Sequence, residues 1–323
     1  MEQILLGIDI GGTKCAVVTG KLSENGQVEL MEKKSFLTET DKGFEHTMKN
    51  IFANIDEIVA TTKISVIGIS CGGPLDSKKG IIMSPPNLPG WDNIPLVDMI
   101  ENRYGIKTAV QNDANACALA EWQYGAAKGY DNVIFLTFGT GMGSGLILDG
   151  RLYVGTNDMA GEVGHIRLER TGPVGFGKAG SFEGFCSGGG IAQLARTKAL
   201  EKLQMGSKVS FCQSMDDLHA ITAKSVAEAA YKGDTAAIEI YETCGCYLGK
   251  ALSLLIDILN PEVIVLGSIF GRARDLIEPS MNNVIEKETI HFSRNVCKIV
   301  SAGLDENIGD FAALSVAAYQ LNK

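Results

Sequence analysis

A strand, a glycine turn and a returning strand occur twice in this chain, and that repeat constrains the fold more than any other feature. Ile4-Leu5-Leu6-Gly7-Ile8 reads as a buried strand. Asp9-Ile10-Gly11-Gly12-Thr13-Lys14 forms a tight turn, and Cys15-Ala16-Val17-Val18-Thr19-Gly20 reads as the returning strand. The pattern recurs as Asn132-Val133-Ile134-Phe135-Leu136-Thr137, then Phe138-Gly139-Thr140-Gly141-Met142-Gly143-Ser144-Gly145, then Leu146-Ile147-Leu148. A strand follows each turn, whereas a Walker loop and a dinucleotide fingerprint both open a helix. Glycines without Cβ atoms let backbone N–H groups approach an anion closely, so each turn is a phosphate-cradle candidate. Asp9 could hold a hydrated Mg²⁺ beside that anion. A glycine hairpin turn with no ligand is the plainer alternative for either copy alone. Two copies together fit two α/β domains facing one nucleotide.

Gln111-Asn112-Asp113-Ala114-Asn115 lies where the apolar-leaning run 106–110 gives way to the helical run 116–122. An amide and a carboxylate at a strand-to-helix junction occupy the rim position of an α/β protein. Asp113 could accept a proton from a hydroxyl that Asn112 orients. The competing reading is a helix N-cap.

The remaining chain follows the same architecture. Phe44, Met48, Ile51, Phe52, Ile55 and Ile58 share one face of a helix predicted over 44–62. Ser65-Val66-Ile67-Gly68-Ile69-Ser70 reads as a strand ending at Cys71-Gly72-Gly73. The Pro85-Pro86-Asn87-Leu88-Pro89-Gly90-Trp91 loop is either a pre-ordered wall or a plain connection. Ala160-Gly161-Glu162-Val163-Gly164-His165 brings a carboxylate and an imidazole together, and Glu183 follows a glycine-rich stretch; such groups suit sugar hydroxyls, although His165 alone could be structural. Helices are predicted over 223–231, 236–246 and 247–259, the last stopping at Asn260-Pro261. A strand over 262–266 leads to a glycine turn over 267–271; a strand over 297–300 and a small-residue helix over 309–318 close the chain.

Composition excludes several classes. The chain has 323 residues and a net charge of −9, which argues against a broad nucleic-acid surface. No apolar run reaches membrane-spanning length and the first residues read as neither signal nor transit peptide, so no membrane partner and a cytoplasmic location are expected. The eight cysteines are scattered, and Cys244-Gly245-Cys246 has no second pair or nearby His, so it reads as helix packing rather than metal binding.

Taken together these residues resemble the ROK family of sugar kinases, within the actin/hexokinase-type ATPase superfamily. The segment Gly7-Ile8-Asp9-Ile10-Gly11-Gly12-Thr13-Lys14 is similar to the family's first phosphate loop, and Gly139-Thr140-Gly141-Met142-Gly143-Ser144-Gly145 to the second. Residues 260–267 resemble the strand leading to the adenosine site, and 306–313 the late connecting helix. The resemblance implies a two-domain actin-like (ribonuclease H-like) α/β fold with an interdomain cleft. Its domains would be 1–112 plus 310–323, and 113–309. It implies ATP-dependent phosphorylation of a hexose hydroxyl, glucose or a related aldohexose, with ATP and Mg²⁺, in a homodimer. Asp113 would be catalytic; Gly72, Asn87, Asn112, Asp113, Glu162, His165 and Glu183 would bind the sugar. Asp9, Gly11, Gly12, Thr13, Lys14, Gly139, Thr140, Gly141 and Gly267 would bind ATP, with Asp9 reaching Mg²⁺ through water.

N-Acetylmannosamine, allose, fructose and β-glucosides are alternative substrates, and a sugar-binding regulator without catalysis is the alternative of another class. Repressors of the family carry an N-terminal DNA-binding segment, and only eight residues precede Asp9 here, so DNA binding is not expected. One departure stands out. The family's zinc site uses one His and three Cys, and Val174, Phe176 and Ser181 stand where the thiols would be. Structural zinc wants four ligands, so none is expected; Phe176 and Phe182 are expected to hold the loop by packing instead. A milder departure is Gly267-Ser268-Ile269-Phe270-Gly271, where a triple-glycine run is usual.

Overall fold

The computed structural model describes residues 3–321. In chain order the first elements are β1 (Gln3–Ile10), β2 (Lys14–Leu22), β3 (Val28–Leu37), α1 (Phe44–Val59), β4 (Val66–Cys71), β5 (Leu75–Asp76), β6 (Ile81–Ile82) and α2 (Leu96–Tyr104). Next come β7 (Thr108–Asn112), α3 (Asp113–Tyr124), β8 (Val133–Leu136), β9 (Ser144–Leu148), β10 (Arg151–Leu152), β11 (Val174–Gly175), β12 (Lys178–Ala179) and α4 (Phe182–Phe185). The chain then runs through α5 (Gly188–Gln204), α6 (Ala223–Tyr231), α7 (Thr235–Leu259), β13 (Val263–Leu266), α8 (Ile269–Glu288), α9 (His291–Val296), β14 (Lys298–Ser301) and α10 (Ile308–Leu321). Two compact units divide the described residues: 3–135, 145–160 and 303–321 in one, 136–144 and 161–302 in the other.

The first unit is built on a sheet of order β3-β2-β1-β4-β7. β1 and β2 form the predicted antiparallel hairpin, with Ile10 opposite Cys15. β1, β4 and β7 are parallel, and their registers place Asp9 beside Ser70 and Ser70 beside Gln111. The three parallel strands therefore end at one edge, where Gly11, Gly72 and Asp113 follow them. One face buries Ile8, Ile10, Ile67 and Ile69 against Met48, Ile51 and Ile55 of α1 and Leu96 and Ile100 of α2. The opposite face carries α10 over Leu5, Val18 and Val66. Glycine makes that approach possible: a Cβ on Gly7 would come within 2.9 Å of the Ala313 Cβ, and one on Gly68 would overlap the Ala313 carbonyl and the Ala317 amide. β8, β9 and β10 lie side by side, and α3 packs on β9 where a Cβ at Gly145 would fall 2.5 Å from the Ala118 Cβ.

In the second unit α7 runs unbroken for 25 residues, replacing the two shorter helices expected from sequence. Its glycines are contact points rather than breaks: a Cβ at Gly245 would lie 2.5 Å from the Ile277 carbonyl of α8, and one at Gly249 would lie 2.6 Å from that of Met281. Asn260 ends the helix in the left-handed conformation (φ 45°). β13 and β14 pair in parallel. The glycine turn expected over 267–271 is a helix start instead: α8 begins at Ile269, and Ser268 alone, at φ 45°, makes the corner. Among the described residues no helix is long and apolar enough to cross a membrane.

Candidate functional site

Within the first unit, the candidate residues gather at the edge where β1, β4 and β7 end. The β1–β2 turn is closed by Gly11 N–H donating to the Lys14 carbonyl at 3.1 Å, which leaves Gly12 and Thr13 at its tip. Thr38, which sequence reasoning did not single out, braces this turn: its hydroxyl donates to the Gly11 carbonyl at 2.6 Å and its amide donates to the Thr13 carbonyl at 3.0 Å. Lys14 lends the turn its carbonyl, and its side chain is exposed. Asn87 belongs to the same cluster. A Cβ on Gly12 would fall 2.6 Å from the Asn87 carbonyl, and one on Gly72 would fall 2.9 Å from Asn87 Oδ1. The proline-rich loop that carries Asn87 is anchored from below by Leu88 (0% exposed) and Trp91 (1%), the indole meeting Phe44 edge-on at 4.9 Å.

Asn112 ends β7 and caps α3, its Oδ1 accepting from Asn115 N–H at 2.7 Å. The helix-cap alternative is thus correct for Asn112, and it coexists with the rim position. With Oδ1 engaged, the amide NH₂ is the part of Asn112 able to donate elsewhere. Asp113 is the first residue of α3, where the helix N-terminus favours a carboxylate. Its side chain opens to solvent, and its Oδ1 accepts from Ala114 N–H at 2.8 Å. The surrounding protein still desolvates the carboxyl enough to raise its pKa above the ordinary 3.8.

Asp9 stands beside it. Burial raises its pKa to about 6; a hydrogen bond with Ser70 opposes the rise, and the carboxylates of Asp113 and Asp310 add to it. The first turn of α10 approaches the same carboxylate, with the Cβ position of Gly309 3.3 Å from Asp9 Oδ2.

The second unit assembles its own cluster around the second glycine turn. Gly139 N–H donates to the Gly141 carbonyl at 3.0 Å and closes the turn around Thr140. Two further amides are bound from within the unit: Gly143 N–H donates to Thr137 Oγ1 at 3.0 Å, and Met142 N–H to Glu183 Oε2 at 3.0 Å. α5 begins against this turn, with Gly188 N–H donating to the Gly139 carbonyl at 2.8 Å and Gly189 N–H to that of Thr140 at 3.3 Å. Ser187 caps that helix through Gly190 N–H. The signal for this contact was present in Ser187-Gly188-Gly189-Gly190, a cap residue before glycines that allow close approach. Gly267 is buried, its N–H donating to the Leu136 carbonyl at 2.9 Å, and Ile269 N–H donates to the Phe138 carbonyl at 3.0 Å. Gly267 therefore braces the strand before the turn.

Glu183 lies in the single turn of α4, whose N-cap Ser181 accepts from Gly184 N–H at 3.1 Å. The Gly161–Gly164 stretch packs against it: a Cβ on Gly164 would lie 3.4 Å from that of Glu183. Glu162 and His165 border this packing with exposed side chains, and His165 meets the ring of Phe176 at 6.2 Å. The expectation that Phe176 and Phe182 jointly hold the glycine-rich loop is half wrong. Phe182 is fully buried, but Phe176 is 79% exposed because it sits at a hairpin tip with φ 41°. Gln193 secures the hairpin instead, accepting from Val174 N–H at 2.9 Å and donating to its carbonyl at 2.8 Å.

Comparison with known proteins identifies the family and the fold. The ROK family profile matches residues 5–319. A glucokinase from Thermotoga maritima is 30% identical over 313 residues, covering 97% of this chain and 96% of its own. A glucokinase from Halalkalibacterium halodurans is 34% identical over 287 residues, covering 86% and 84%. The DNA-binding transcriptional dual regulator NagC of Escherichia coli is 30% identical over 283 residues, covering 86% of this chain and 67% of its own. Among solved structures, a ROK family glucokinase from Streptomyces griseus in complex with glucose and AMPPNP matches at a TM-score of 0.74 and 27% identity, over 99% of this chain and 100% of that one. The fold is the mixed α/β type of these kinases, that of the actin-like ATPases.

Proposed function

The chain belongs to the ROK family, and from that membership we propose that it is a cytoplasmic kinase transferring the γ-phosphoryl group of ATP to a hydroxyl of glucose or a related aldohexose. The observation that carries this reading is the Asn112-Asp113 junction: a solvent-open carboxylate whose pKa lies above the ordinary aspartate range, on a capped helix start. An ordinary aspartate is a weak base for a sugar hydroxyl, and a raised pKa lessens that mismatch. Asp113 accepts the hydroxyl proton as the new O–P bond forms and ADP leaves; much of its contribution is orientation, because a loose transition state develops nucleophile charge late. Asn112 donates through its amide to the same sugar. Asn87, backed by Gly12 and Gly72, is a further sugar ligand of the first unit, and Glu162, His165 and Glu183 are the sugar ligands of the second. The turn tip at Gly12 and Thr13 in the first unit, and that at Thr140 and Gly141 in the second, each offer backbone amides to phosphate oxygens.

The surroundings of Asp9 suit a divalent cation. Three carboxylates (Asp9, Asp113 and Asp310) are opposed by one ammonium, Lys33, so the site carries an excess of negative charge. Mg²⁺ there would be reached from Asp9 through water and would offset the charge of the ATP phosphates.

The testing experiment is sugar-dependent ADP release with Mg-ATP. The panel is glucose, mannose, allose, fructose, glucosamine, N-acetylglucosamine, N-acetylmannosamine and cellobiose. A strong response to glucose or another aldohexose is expected. The similarity to NagC favours one second reading, a sugar-binding regulator without catalysis. Folded protein that binds sugar yet releases no ADP on any of them would replace the kinase by that regulator.

A further inference from the structure

Asp310 lies in the first turn of α10, and its carboxylate accepts from Lys33 Nζ at 2.7 Å. The Asp310 side chain is 9% exposed and that of Lys33 47%. Lys33 reaches it from β3, in the row that runs through Val18, Gly7 and Gly68. That is the row over which α10 comes closest to the sheet, since Gly7 and Gly68 are its contact points. Two residues along β1 from Gly7, on the same face, is Asp9, whose carboxylate meets the start of α10 at Gly309. Asp9 therefore senses both members of the pair, Asp310 as a like charge and Lys33 as an opposite one.

We propose that the Lys33–Asp310 pair sets how strongly the Asp9 carboxylate draws a divalent cation, its two members acting in opposite senses. The inference rests on reading Asp9 as the residue that faces Mg²⁺. Asp310 deepens the negative potential that attracts the cation, and Lys33 makes it shallower. The two are positioning residues: neither needs to touch the metal, because a charge a few ångströms away in a partly desolvated site acts through the field. A brace that merely pinned α10 to β3 would behave differently, since losing either end of a brace loosens it in the same way.

The test is binding of Mn²⁺, as a spectroscopic stand-in for Mg²⁺, to the full chain with ADP at neutral pH, read as loss of the free-ion paramagnetic signal. Lys33→Met is expected to tighten Mn²⁺ binding roughly 3–10-fold and Asp310→Asn to weaken it roughly 3–10-fold, with the double variant back near wild type. Added salt should shrink both differences. The charge-preserving Lys33→Arg and Asp310→Glu should keep wild-type affinity, and they decide the matter if a neutral variant fails to fold. Shifts of the same sign in Lys33→Met and Asp310→Asn, or changes of more than about threefold in the charge-preserving pair, would overturn the inference. Wild-type binding that Asp9→Asn leaves unaltered would overturn its premise instead, and the two failures are told apart by that control.

Discussion

The chemistry proposed for Asp113 depends on its being the first residue of a helix whose cap is supplied by its neighbour. Asn112 supplies the cap, and Asn at position 113 would keep an oxygen for Ala114 N–H, so Asp113→Asn should spare the helix. Asp113→Asn is expected to leave sugar affinity within a few-fold and to lower turnover by at least about 10², the scale of general-base loss. Sugar titration beside initial rates checks both halves, and near-normal turnover would remove the assigned role. Asp9 makes a different demand. Its folded-state pKa of about 6 lies above the ordinary 3.8, so the folded form binds its proton more tightly than the unfolded chain does. That contribution is complete below about pH 4 and is lost as pH rises through about 6. In the absence of ligands Asp9→Asn should therefore be more stable than wild type at pH 7.5, by up to about 2–3 kcal/mol, with the gap closing below about pH 4. Urea unfolding at the two pH values measures this directly, and an unchanged gap would mean that Asp9 is better solvated than its surroundings imply.

At the scale of elements, α10 and the sheet beneath it come together only because Gly7 and Gly68 carry no side chains. At Gly68 the obstructing atoms belong to the α10 backbone, which cannot turn aside as a side chain can. Gly68→Ala is expected to cost at least about 3 kcal/mol or to prevent folding, beyond the usual range for overpacked cores. Gly139 is the contrasting case, with nothing within 4 Å of its Cβ position. Gly139→Ala should change stability by less than about 1 kcal/mol while altering nucleotide affinity, a separation that denaturation and ATP binding together would reveal. This contrast also marks what the sequence could reveal. The two hairpins and the strand-to-helix junction at Asn112 were legible because strand periodicity and turn glycines are local signals. The split of α7 and the turn over 267–271 were misread because the same residue, glycine, serves both turns and close helix contacts, and only α8 shows which. Thr38, Gln193, and Lys33 with Asp310 could not be found from sequence at all: each acts on a partner distant in the chain.

For the whole molecule, we propose that the region resembling the ROK zinc site holds no metal. Ser181 is fully buried as a helix cap, and Gln193 holds the hairpin that carries Val174 and Phe176. Metal analysis of the purified protein is expected to find no stoichiometric zinc, and a chelator should leave the melting temperature unchanged. One zinc per chain would show that other ligands have taken over. A second consequence follows from the bond between Glu183 and the Met142 amide. If Glu183 serves the sugar and the turn over 139–141 the nucleotide, then one carboxylate has two clients, a hydroxyl on one side and the backbone of that turn on the other. A shift of Glu183 towards either must be felt by the other, and thermodynamic reciprocity then requires the influence to run both ways. Whatever factor the nucleotide imposes on sugar affinity, the sugar must impose on nucleotide affinity. The two substrates would communicate before any phosphoryl group moves.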